Sequence, residues 1–150
     1  MKQVVSDDGA VPPAEIMPCT ASGQSEDGRP VRGNLWAALP PPGGEEQVQI
    51  LLSQPGIRLE RIVSHGQASP PGFWYDQEEG EFVVLLAGAA TLSLQIADGV
   101  YETVALRPGD WLHLPAHCRH RVEATAEGQP TVWLAVFFPA AVSEASGTAA

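Results

Sequence analysis

From Glu46 onward, glycine and proline divide the chain into apolar runs too short to make helices. Val48, Ile50 and Leu52 alternate with Gln47 and Gln49 until Pro55-Gly56 ends the run. Successive side chains of a strand point to opposite faces, so this alternation marks a half-buried strand. Ile57 to Val63 alternates again, with Ile57, Leu59, Arg61 and Val63 on one side and Arg58, Glu60 and Ile62 on the other. That pattern is imperfect, and it leaves open which side is buried. Further strands are predicted at 81–86, 89–97, 100–106, 111–114, 122–124 and 131–138, with Asp98-Gly99 as a two-residue hairpin turn. Eight or nine short strands without a helix describe an antiparallel, all-β sandwich or small barrel.

A chain of 150 residues has room for one domain with a real core, and its 15 glycines and 14 prolines fit a turn-rich β fold. Residues 1–30 mix Asp7, Asp8, Glu15, Glu26 and Asp27 with small polar residues and are expected to form a flexible leader. The folded domain is expected over 31–140, and 141–150 is expected to be a flexible tail. The formal charge is −10, and one of the eight basic residues is a lysine. No basic stripe is present to meet phosphates, which speaks against a nucleic-acid partner. No run reaches the roughly 18 apolar residues of a membrane span, and the start lacks a signal-peptide core. A cytoplasmic location without a membrane partner is therefore expected. Cys19 and Cys118 are expected to be free thiols.

Polar and aromatic residues gather in two blocks. One is Phe73-Trp74-Tyr75-Asp76-Gln77-Glu78-Glu79-Gly80-Glu81, continuing to Gly88; the other is Pro108-Gly109-Asp110 through Pro115, His117, Cys118 and His120. Glu81 followed after six residues by Gly88, and Pro108-Gly109-Asp110 followed by Pro115 and His120, resemble the two motifs of the cupin superfamily in its small one-domain members. The resemblance covers roughly residues 34–138. It implies a double-stranded β-helix, the jelly-roll barrel.

The resemblance also implies roles. Glu81 and His120 match two of the family's metal ligands. Where a His-x-His usually precedes the glutamate, this chain has Trp74-Tyr75-Asp76, so Asp76 stands in a ligand position and Trp74 offers only a wall or a stacking face. The implied metal set is Asp76, Glu81 and His120, with Gln77 or His117 completing it, suited to a divalent Mn, Fe or Zn ion. Trp74, Tyr75, Gln77, Trp111 and His117 are the further pocket candidates. The residues alone leave other roles open: Glu81 as a buried acid held by Arg119 or Arg121, His120 as a rim histidine, and Asp76 as part of an acidic surface turn.

Two functions follow as expectations. One is a metal-binding cupin, an isomerase, lyase or dioxygenase acting on a small polar or carboxylated molecule. The other is a non-catalytic module that binds or senses a small ligand without an essential metal. The family commonly forms homodimers, and the apolar run from Val132 to Phe138 would supply a partner surface at a sheet edge, or else core.

Overall fold

The computed structural model describes residues 28–142. All but the last three residues of the expected leader, and the tail beyond residue 142, lie outside the described residues. Eight strands follow in order: β1 (Gln47–Gln54), β2 (Ile57–Ser64), β3 (Glu79–Ala87), β4 (Ala90–Ala97), β5 (Val100–Leu106), β6 (Trp111–Leu114), β7 (His120–Thr125) and β8 (Thr131–Pro139). They form a five-stranded sheet in the order β1-β2-β8-β3-β6 and a three-stranded sheet in the order β5-β4-β7, with every pair antiparallel. Among the described residues no helix is long and apolar enough to cross a membrane.

The inner faces of the two sheets share one core. Val83, Leu85, Leu114, Trp133, Ala135 and Phe137 of the larger sheet meet Leu92, Leu94 and Leu106 of the smaller. Each large aliphatic or aromatic side chain removed from water there contributes roughly 1.5–3 kcal/mol. Gly88 turns the chain from the larger sheet into the smaller. Its φ is +82°, and a Cβ there would run into Thr131 and the Pro130 carbonyl oxygen, so only glycine fits this corner.

The ambiguity of β2 has a structural cause. Arg58, Glu60 and Ile62 face the interior, yet Arg61 and Val63 on the outer face are buried as well. The segment before β1 covers that outer face, and the Arg61 guanidinium donates to the carbonyls of Leu35 and Ala37 at 3.0 and 2.7 Å. With both faces covered, neither side needed to be markedly apolar.

The run from Val132 to Phe138 is β8, which lies between β2 and β3. It cannot offer a free edge to a partner. Its length of apolar sequence reflects burial in the centre of the sheet, with Val132 and Ala135 wholly inaccessible.

Candidate functional site

A cavity of about 280 Å³ opens between the sheets. At about 30 Å³ per water it has room for roughly nine waters, which places it at the small end of ligand sites. Strand register determines what lines it. Glu81 on β3 lies opposite Leu114 on β6 and Phe137 on β8, so the three share the inner face. Across the cavity, His120 and Val122 on β7 pair with Leu94 and Leu92 on β4. Arg58, Glu60 and Ile62 arrive from β2, Val48 from β1 and Glu46 from the residue just before it.

The fourth wall is not a strand. Tyr75 makes a single antiparallel bridge with His120, Tyr75 N donating to His120 O at 2.8 Å and His120 N to Tyr75 O at 3.2 Å. Directly opposed residues project to the same side, and the two rings stack with centroids 5.2 Å apart. Gln77, two residues on, also faces the cavity, and its carbonyl accepts from the His117 amide at 2.7 Å. Tyr75, Gln77, Glu81 and His120 therefore converge.

Glu81 and His120 are 8% and 5% exposed, and Glu81 Oε2 lies 3.6 Å from His120 Nε2. The His120 Nδ1 is 2.9 Å from the Cys118 carbonyl oxygen. A carbonyl only accepts, so Nδ1 carries the proton and Nε2 is left facing the carboxyl group. Gln77 Nε2 donates to Glu81 Oε2 at 2.8 Å. Burial pushes the Glu81 carboxyl above the usual carboxylate range, and the neighbouring His120 and the Gln77 bond oppose that rise only in part. Burial also raises the Tyr75 phenol, reinforced by the negative charges of Glu46 and Glu81. Tyr75 is thus a protonated donor at neutral pH.

Arg58 is the one arginine in the cavity wall among the described residues. Its guanidinium grips Glu79 with two bonds of 3.1 and 3.0 Å, donates to Glu60 at 2.9 Å and sits 4.3 Å above the Phe137 ring. Those bonds, the pair to Glu79 foremost, raise its pKa further. Glu46 accepts from the Ser64 hydroxyl at 2.5 Å, and Ser64 in turn accepts from the Trp133 indole at 3.2 Å.

The expected ligand trio is not brought together. Asp76 lies at the surface and pairs with His117 at 2.9 Å, both side chains largely in solvent. Trp74 packs outside the cavity, 5.3 Å from the Tyr101 ring and under the guanidinium groups of Arg119 and Arg121. The bridge between Tyr75 and His120 sets the phase of this segment, turning Tyr75 and Gln77 inward and Trp74 and Asp76 outward. Trp111, 59% exposed, stacks on Phe82 away from the cavity, and His117 stands in a turn at φ +62°. Neither Arg119 nor Arg121 holds Glu81: Arg119 reaches Gln95, and Arg121 pairs with Glu123. Arg58, Glu60, Trp133 and Phe137 escaped the sequence reading. The shared parity of Arg58, Glu60 and Ile62 was the available signal for the first two.

Among the described residues no group of three His, Cys, Asp or Glu side chains converges as a metal site. The inward donors are one imidazole, the carboxyls of Glu46, Glu60 and Glu81, one amide and one phenol; Glu60 is taken up by Arg58 and Glu46 by Ser64, which leaves Glu81 and His120 as the close pair. Two strong donors fall short of the three protein ligands typical of a catalytic metal.

Residues 60–137 match the family model described as the cupin domain, and the chain belongs to that family. The fold is the jelly-roll barrel of the cupins. A structure from Ralstonia eutropha, provisionally named a mannose-6-phosphate isomerase, is 50% identical, covers 74% of this chain and all of its own, and superposes with a TM-score of 0.69. A cupin superfamily protein from Desulfitobacterium hafniense is 15% identical, covering 72% of this chain and 91% of its own at a TM-score of 0.58. The Cnp3 cupin domain of Schizosaccharomyces pombe is 8% identical, with 63% and 61% covered and a TM-score of 0.53. The last two share the fold alone. No curated protein matched the chain.

Proposed function

We propose that this cupin binds a small polar molecule in its barrel and transfers protons on it through Glu81 and His120. The observation that carries this reading is the buried pair itself. Its imidazole is held in one tautomer by the Cys118 carbonyl, and burial pushes its carboxyl above the usual carboxylate range. A carboxyl and an imidazole, one able to give a proton and the other to take one, then stand 3.6 Å apart at the cavity, which is the requirement of general acid–base chemistry. Tyr75 adds a neutral donor, and Gln77 fixes the carboxyl group. Proton transfer between neighbouring carbons of a hydroxy-carbonyl compound, the step of an aldose–ketose isomerisation, suits this set. The provisional name of the Ralstonia relative points to the same class of reaction.

A fragment screen by NMR tests the reading. The Trp133 indole lines the cavity, so its N–H resonance reports occupancy. Small polar ligands should move it, and Glu81→Gln and His120→Gln should each weaken that binding. Ligands that leave the indole unmoved and shift only surface residues would refute the reading.

A second reading has one observation in its favour. Histidines that ligate metals commonly donate their other ring N–H to a carbonyl, as His120 does to Cys118. Glu81 and His120, with Gln77 and Tyr75 beside them, would then hold a divalent Mn, Fe or Zn ion, which supplies Lewis-acid chemistry when bound. Elemental analysis of the purified chain against His120→Ala decides it: one ion per chain, lost in the variant, supports the metal. A homodimer is carried forward from the family. Val48 and Ile50, exposed on the edge strand β1, are the surface that would pair, and light scattering reads the mass.

A further inference from the structure

We infer that the cavity discriminates by charge, admitting uncharged or cationic molecules and disfavouring phosphorylated and carboxylated ones; this rests on the small-ligand reading above. Among the described residues, an anion entering the barrel would have one arginine or lysine to meet, Arg58. That guanidinium is already matched by Glu79, which takes both outer nitrogens, and by Glu60, which takes Nε. A bidentate carboxylate occupies the geometry that a phosphate would need. Glu46, at the exposed mouth, adds a second negative group facing the space.

The Glu81–His120 pair does not reverse this balance. A carboxyl and an imidazole together carry between −1 and +1, and even +1 beside Arg58 leaves the carboxylates of Glu46, Glu60 and Glu79 in excess. The wall therefore holds one guanidinium against the carboxylates of Glu46 and Glu60, with a third carboxylate, Glu79, clamped on the same guanidinium. Charges in a cleft with low-dielectric walls act more strongly on a ligand than the same charges on an open surface. For a sugar this favours the free hexose over its phosphate ester.

The test is a titration of the full chain, read on the Trp133 indole, with two matched series. Mannose, mannosamine and mannose 6-phosphate share one skeleton; benzamide, benzylamine and benzoate share another. Salt is held at about 0.15 M, so that surface charges farther than roughly 8 Å are screened. In whichever series binds, the uncharged and cationic members are expected to bind at least about tenfold more tightly than the anion, a gap of about 1.4 kcal/mol. Glu60→Gln frees one face of Arg58 and should narrow the gap by about tenfold; Glu46→Gln, on an exposed residue, is the second variant if Glu60→Gln does not fold. An anion binding as tightly as its uncharged partner would overturn the inference while leaving the cavity reading intact. Silence of the indole toward both series would remove the cavity reading and this inference with it.

Discussion

Gly88→Ala offers a sharp test of how the barrel closes. The residue sits at φ +82°, where an L side chain costs roughly 1–2 kcal/mol from its own backbone. The added Cβ would also press on the Thr131 Cα and the Pro130 carbonyl oxygen, which are backbone atoms at the start of the central strand β8. Overpacking of that kind costs about 1–3 kcal/mol, giving a total of roughly 2–5 kcal/mol. For a domain of this size each kcal/mol moves Tm by about 3–6 °C, so a loss of about 10–20 °C is expected. Gly99→Ala is the internal control: its φ is +68° and nothing lies within 4 Å of a Cβ there. It should lose only the backbone term, about 4–8 °C. Calorimetry on both variants reads the difference directly. Equal losses would show that the contact with β8 contributes nothing at the corner.

Three further predictions concern the core and the site. Leu85→Ala, in a side chain wholly inaccessible to solvent, should cost about 2–5 kcal/mol in denaturant unfolding, whereas Asp76→Asn should stay within about 0.5 kcal/mol. The folded protein holds the Glu81 proton more tightly than the unfolded chain does, so between the ordinary carboxylate range and the raised value stability falls as pH rises. Glu81→Gln lacks that titration; its Tm relative to the parent should climb from about pH 4 upward, and a difference flat with pH would contradict the raised carboxyl. Trp133→Phe removes the indole donor to Ser64 and should cost about 1 kcal/mol by the same unfolding measurement.

The strands were legible because their physics is local. Alternation of apolar and polar residues, Pro55-Gly56, Asp98-Gly99 and Pro108-Gly109-Asp110 located nearly every element to within two residues. Glu81 and His120 were legible because motif spacing places them on β3 and at the head of β7, whose inner faces meet. The phase of residues 74–77 was not, since this segment holds one bridging residue rather than a strand, and a contact with His120 across 45 positions of sequence sets its orientation. Counting in twos back from Glu81 reaches Gln77 and Tyr75, a signal weakened by the turn residues between. The roles of Arg58 and Glu60 were hidden for a different reason. A strand covered on both faces shows no polar side, so its inward charges look like surface.

The central claim is that Glu81 and His120 work from inside the cavity while Asp76 does not. Its most direct test is the dissociation constant of one cavity ligand, found by the Trp133 indole, measured on the parent chain, Glu81→Gln and Asp76→Asn under one condition. Glu81→Gln is expected to weaken binding by about tenfold or more, the loss of one hydrogen bond to a buried carboxyl, and Asp76→Asn to leave it unchanged. Weakened binding in Asp76→Asn with none in Glu81→Gln would place the working site on the outer face and contradict the account.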